Sequence, residues 1–209
     1  AQKLNLCNGK CYIAGYGNNE VNEVEEARIW IDGQAYNKLS QDNDDKNKNG
    51  DYPALANDIA SDGDNWWCVG QERNSGVGYL PKVWINRSNN NLKREGPASS
   101  LTCIKYENGT FYIGGNDGYH AMYWSAAQKS SKENRINNCQ ECDLSSGVTQ
   151  AKVDDIDVLN GIVVCCGYER SATGSNIPKL WINGSEYPLG EKLNNYSNVR
   201  PCAVAIVKR

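Results

Sequence analysis

Four stretches of this chain align with one another without a gap. They are "LNLCNGKCYIAGYG" from Leu4, "IASDGDNWWCVGQE" from Ile59, "IKYENGTFYIGGND" from Ile104 and "IDVLNGIVVCCGYE" from Ile156. Each copy opens on an apolar residue and crosses a Gly/Asn/Asp turn. It then runs through β-branched, aromatic or Cys residues to an aligned glycine: Gly15, Gly70, Gly115 and Gly167. A polar loop follows, and after it a strand carrying tryptophan, in "ARIWIDG", "PKVWINR", "AMYWSAA" and "PKLWING". Trp30, Trp84, Trp124 and Trp181 therefore hold one register position. Three copies go on to a leucine, Leu39, Leu92 or Leu189, which reads as a short last strand.

The openings lie 55, 45 and 52 residues apart. A period near 50 made of about four short strands is that of a β-propeller blade, a sheet that cannot bury both faces until it stacks on a neighbour. No segment sustains apolar residues at helical spacing over three turns, so the chain is expected to be all-β. The expected fold is one β-propeller domain over 1–209, of about four blades with three to four antiparallel strands each. The repeats cover approximately 4–55, 56–100, 101–152 and 153–200. "AVAIVKR" repeats the spacing of "ANDIASD" and places Ile206 where Ile59 stands. A fifth first-strand over 203–208 would close the ring by pairing with the N-terminal hairpin, the alternative being a piece of a longer array. The third repeat departs most, because "QKSSKENRINNCQECDLSSG" stands where its fourth strand should be.

The "YIAGY…W.NG…L" pattern resembles the repeats of secreted, lectin-like and bacterial cell-surface β-propellers. The resemblance spans nearly the whole chain, implies a propeller ring with loop-built sites, and carries over no catalytic residue.

A formal net charge of −3, with no Lys/Arg cluster, argues against a nucleic-acid partner. No apolar run approaches the roughly 20 residues that span a bilayer. Nine cysteines point to an oxidising compartment, and an odd count leaves at least one thiol unpaired or paired outside the chain. The chain starts at Ala1 without a leader, as a mature secreted protein would, although a trimmed chain would look the same. Cys7 and Cys11 flank a short turn and Cys139 and Cys142 form "CQEC"; both pairs read as local disulfides, with half a zinc site as the alternative at "CQEC". Cys68 and Cys165 stand where other repeats place Ile13 and Ile113, which makes them core residues. Cys103 and Cys202, near the starts of first strands, are candidates to staple blades.

Equivalent loops fall on one rim of a propeller, and variable polar loops on rigid strands are where binding sites are built. The candidate ligand-binding residues are Tyr16 and Asn18 in the first repeat, Gln71, Glu72 and Arg73 in the second, Asn116 and Asp117 in the third, and Tyr168, Glu169 and Arg170 in the fourth. Carboxylate, amide and guanidinium groups beside an aromatic ring suit sugar hydroxyls, which both donate and accept. "DKNKNGDY" sets Asp45, Asn47, Asn49 and Asp51 at alternating positions around Gly50. This is the first half of a calcium loop, without its closing Glu. Asn86, Asn108, Asn183 and Asn195 begin Asn-x-Ser/Thr triplets and are candidate glycan acceptors.

Asp154, Asp155 and Asp157 gather in "KVDDIDV", and a carboxylate pair on a first strand is the one arrangement suggesting hydrolysis. The reading that follows is a secreted, non-catalytic module, monomeric or homo-oligomeric, that binds glycans through the rim loops. It needs no cofactor other than calcium at the half loop. Two other readings stand beside it: an interaction, adhesive or toxin-type component recognising an extracellular surface protein, and a glycan hydrolase using the axial carboxylates.

Overall fold

The computed structural model of the chain describes residues 1–18, 25–36, 39, 53–74, 78–86, 88–90, 99–127, 139–146, 149–189 and 199–207. These form four antiparallel four-stranded sheets, one for each repeat. The first sheet is β1 (Lys3–Cys7), β2 (Lys10–Asn18), β3 (Glu25–Ile31) and β4 (Gln34–Tyr36). The second is β5 (Ala54–Ser61), β6 (Trp66–Asn74), β7 (Gly78–Ile85) and β8 (Ser88–Asn90). The third is β9 (Ser100–Glu107), β10 (Thr110–Asp117), β11 (His120–Ala127) and β12 (Gln140–Asp143). The fourth is β13 (Ala151–Leu159), β14 (Ile162–Arg170), β15 (Asn176–Ile182) and β16 (Ser185–Tyr187). Each is a simple meander in chain order.

The turns explain why the meanders close so tightly. Asn8-Gly9, Asn108-Gly109 and Asn160-Gly161 all take left-handed φ at both residues, as do Asp32-Gly33 and Asn183-Gly184. That is the two-residue hairpin whose twist matches the flanking strands. The Asp or Asn side chain of the later turn also holds the start of the second strand. Cys11 N–H donates to Asp32 Oδ1 (2.8 Å), Trp66 N–H to Asn86 Oδ1 (2.9 Å) and Val163 N–H to Asn183 Oδ1 (2.9 Å).

The aligned glycines answer a bulge. The ladders of β5 with β6 and of β13 with β14 shift register between Ala56 and Asp58 and between Val153 and Asp155. Asn57 and Asp154 are thus extra residues in their strands. The displaced backbone fills the space above the glycine. A Cβ on Gly70 would collide with the Leu55 carbonyl oxygen, and one on Gly167 with that of Lys152.

The chain divides into two compact units, the first holding the first two sheets (Ala1–Leu101) and the second holding the last two. Both units are packed alike. In the first, Ile59, Trp66, Cys68 and Trp84 of the second sheet meet Tyr12, Ala14, Ala27 and Ile29 of the first. In the second, Ile156, Val158, Val163, Cys165 and Trp181 of the fourth sheet meet Cys103, Ala121, Tyr112 and Tyr123 of the third. The four tryptophans keep their common register, paired with Ile13, Cys68, Ile113 and Cys165. Trp84, Trp124 and Trp181 are buried, so they pack rather than present a ring to a ligand.

Four expectations are corrected. The fourth strands do not contain the leucines: β4 and β16 start directly after their two-residue turns, and Leu39 and Leu189 lie beyond them in no strand. Leu39 is nonetheless buried in the first core. The third repeat does have its fourth strand, supplied by "QECD" against β11. No disulfide joins any of the nine cysteines. In the ladder Cys7 pairs with Lys10 and Cys11 with Leu6, so the two side chains leave opposite faces. Cys139 and Cys142 stand three positions apart in extended chain, about 10 Å, beyond the reach of a bridge.

Lastly, residues 201–207 lie in no strand. The backbone N–H groups of Val204 and Ile206 are instead spent on carboxylates, Asp155 Oδ2 at 2.9 Å and Asp157 Oδ2 at 2.7 Å.

Candidate functional site

The residues proposed for binding all lie where the second strand of a sheet runs out past its glycine, each within its own sheet. Tyr16 and Asn18 end β2 with exposed side chains. In β6, Gln71 is half-buried, Glu72 buried and Arg73 exposed. In β14, Tyr168 is buried, Glu169 half-buried and Arg170 exposed. Asn116 is buried, its amide donating to the Gly118 carbonyl (3.0 Å), while Asp117 is half-buried opposite His120.

Three sheets carry an ion pair at this end, across the ladder in the second and fourth and within β3 in the first. Lys82 Nζ lies 3.1 Å from Glu72, Lys179 Nζ lies 3.3 Å from Glu169, and an Arg28 guanidinium nitrogen lies 2.8 Å from Glu26. Each cation stands opposite the aligned glycine on the neighbouring strand and two residues before the tryptophan. Burial works against the Lys179 charge, but Glu186 (2.7 Å) and Glu169 outweigh it and hold its pKa above the ordinary lysine value. Glu72 and Glu169 therefore serve the fold, and their sequence neighbours Arg73 and Arg170 point to the opposite face.

The third sheet breaks the rule. Met122 occupies the cation's place, and the polar groups turn outward. A two-residue turn with Gly118 at φ +58 joins β10 to β11 and lifts Tyr119, which is 64% exposed. His120 Nδ1 lies 2.6 Å from Asp143 Oδ2 on β12, and both side chains are open to solvent. Ser145 fixes that carboxylate: its N–H donates to Asp143 Oδ1 (3.1 Å), and its Oγ accepts the Ala121 N–H (3.0 Å). Neither the cations nor Tyr119 and Asp143 were foreseen. A basic residue two places before tryptophan in "ARIW", "PKVW" and "PKLW", and its absence in "AMYW", was the signal available.

The carboxylates of β13 are fully engaged. Both Asp154 oxygens accept from Arg200 (2.6 Å at Nε), whose guanidinium also lies 5.0 Å over the Tyr168 ring. Asp155 holds Val204, while Asp157 holds Ile206 and Lys105 (3.0 Å). Burial alone would raise the Asp157 pKa, but the Ile206 N–H and the Lys105 ammonium outweigh it and bring the carboxyl below its ordinary value.

Burial, reinforced by neighbouring charge, pushes the Cys68 and Cys165 thiols well up, in keeping with core positions. Asn86 spends its amide on Trp66 N–H and on Asn65 Oδ1 (2.6 Å), and Asn183 binds Val163 N–H, so both serve the turns. Asp45, Asn47, Asn49 and Asp51 lie outside the described residues, as do Leu92 and Asn195. Among the described residues, no group of three or more His, Cys, Asp or Glu side chains is placed to hold a metal, and no helix is long and apolar enough to cross a membrane.

No family model matches the chain, and no curated protein matches it. Among solved structures, a β-xylosidase superposes with a TM-score of 0.45 at 15% identity, over 89% of this chain and 72% of the other.

Proposed function

We propose that the chain is a non-catalytic carbohydrate-binding module of propeller architecture, its four sheets serving as blades. The recurrent packing of the tryptophan-bearing face of one sheet on its predecessor, seen in each unit, supports the blade reading. The observation that carries the function is the outward end of the third sheet. Tyr119 offers an exposed ring for a pyranose face, beside a carboxylate and an imidazole that can accept from and donate to its hydroxyls. Asp143 is preorganised by Ser145, which lowers the cost of holding a ligand. Tyr16, Asn18, Arg73 and Arg170 offer smaller exposed groups at the equivalent ends of the other sheets, and several weak sites would give avidity on a repetitive glycan, with no cofactor needed.

The β13 carboxylates are committed to Arg200, Lys105 and backbone N–H groups, which favours binding over hydrolysis. A glycan array read with the chain and with Tyr119→Ala tests the proposal. Retention on at least one sugar, weakened about tenfold by Tyr119→Ala with unfolding unchanged, is expected. Absence of retention on every sugar defeats it.

Leu4 and Leu6, 56% and 71% exposed on one face of β1, favour a second reading, a contact surface for an extracellular protein or a second copy. Light scattering that returns only the monomer mass up to high concentration would remove the second copy. Secretion is proposed on the sequence alone.

A further inference from the structure

The segment 199–207 crosses the outer face of the fourth sheet in a fixed track. Val164, Cys166 and Tyr168 alternate onto one face of β14, and their ladder partners Asp157, Asp155 and Lys152 share it. Arg200 is anchored at one end of this row, on Asp154 and over the Tyr168 ring. Val204 is anchored on Asp155, the residue directly opposite Cys166, and Ile206 on Asp157. Cys202 lies midway between the first two anchors, and Cys166 lies midway between Tyr168 and the row of Asp157 and Val164. Cys202 therefore stands one step along the track from the Cys166 row, near enough for its charge to act on the Cys166 thiol. Cys202 is exposed, while Cys166 is buried beneath the segment.

We propose that Cys166 and Cys202 are a redox pair whose oxidation fastens the 199–207 segment to the fourth sheet. The oxidant is a small-molecule disulfide such as oxidised glutathione, and the electrons balance through two exchanges. The Cys202 thiolate attacks one glutathione sulfur, expels the other half as a thiolate, and is left as a mixed disulfide. The Cys166 thiolate then attacks the Cys202 sulfur, forming the internal bond and releasing the second glutathione. Two protein thiols become one disulfide, and one oxidised glutathione becomes two reduced. Burial, with Asp155 and Asp154 nearby, pushes the Cys166 thiol up to about 12. The second exchange is thus the slow one, and its rate rises roughly tenfold per pH unit between 7 and 9.

The test treats the full chain with oxidised glutathione, maps cysteine-containing peptides by mass spectrometry and follows amide exchange. The expected product links the Cys166 and Cys202 peptides. It raises protection of the Val204 and Ile206 amides at least about tenfold, reversibly with a reducing dithiol, because local opening would have to break the bond. Cys166→Ala should halt the chain at the Cys202 mixed disulfide. A wild-type product that stops there, a Cys202 joined to any other cysteine, or unchanged protection would each overturn the proposal. The peptide map and exchange data on the unmodified sequence decide the matter even if the variant does not fold.

Discussion

The second and third sheets begin from the same repeat and part company just past their aligned glycines. In the second, Lys82 and Glu72 neutralise each other in the interior; in the third, Met122 replaces the cation, Asp117 stays half-exposed, and Asp143 pairs with His120 in solvent. Where the pair is built in, acid and cation are spent on each other; where it is lost, the same backbone presents its polar groups outward. The third sheet thus differs from the second at this end by one lysine and one raised tyrosine.

Importing the third sheet's solution into the second is the harshest way to try this. Lys82→Met leaves Glu72 buried without its cation and is expected to cost about 3–5 kcal/mol in urea unfolding. Adding Glu72→Leu should recover most of that. A cost below about 1 kcal/mol for the single change would show the pair to be incidental.

Lys179→Met sharpens the contrast, because this pair is more open and Glu169 also receives the Ser146 hydroxyl (3.3 Å). About 1 kcal/mol is expected near neutral pH. The folded-state pKa of Lys179 is raised. Its contribution is therefore fully present below the unfolded lysine value of about 10.4 and is lost as pH rises through the folded value. Stability measured between pH 9 and 11.5 should fall less in Lys179→Met than in the parent. The smallest effect belongs to Asp143→Asn, an exposed partner. It should alter unfolding by less than about 0.5 kcal/mol while weakening any sugar that the chain retains.

The repeat was legible because turn and packing residues are local signals. Asn-Gly at Asn8, Asn108 and Asn160 forces hairpins, and the tryptophan position forces a common face. Glu72-Arg73 could not be read as a pair from sequence: neighbours in a strand point to opposite faces, and the cation that Glu72 meets lies ten residues on, across the ladder. Of the strand expected over 203–208, the described part, 203–207, lies in no strand. Its β-forming residues are real, but carboxylates on β13, some fifty residues back, compete for its N–H groups, and side-chain competition of that range leaves no mark in local pattern. Tyr119 was passed over because exposure depends on how Gly118 turns the chain.

The bulged carbonyls that press on Gly70 and Gly167 also bear on misfolding. A strand of mixed small and apolar residues can slide along its neighbour by two places and keep its faces, an error that patterning alone does not forbid. Here only one spot on the neighbour lacks a side chain, so a slipped strand would drive an oxygen into a Cβ. Each notch works as a key in its slot, and it spares the chain a class of near-miss pairings through which repetitive β proteins aggregate.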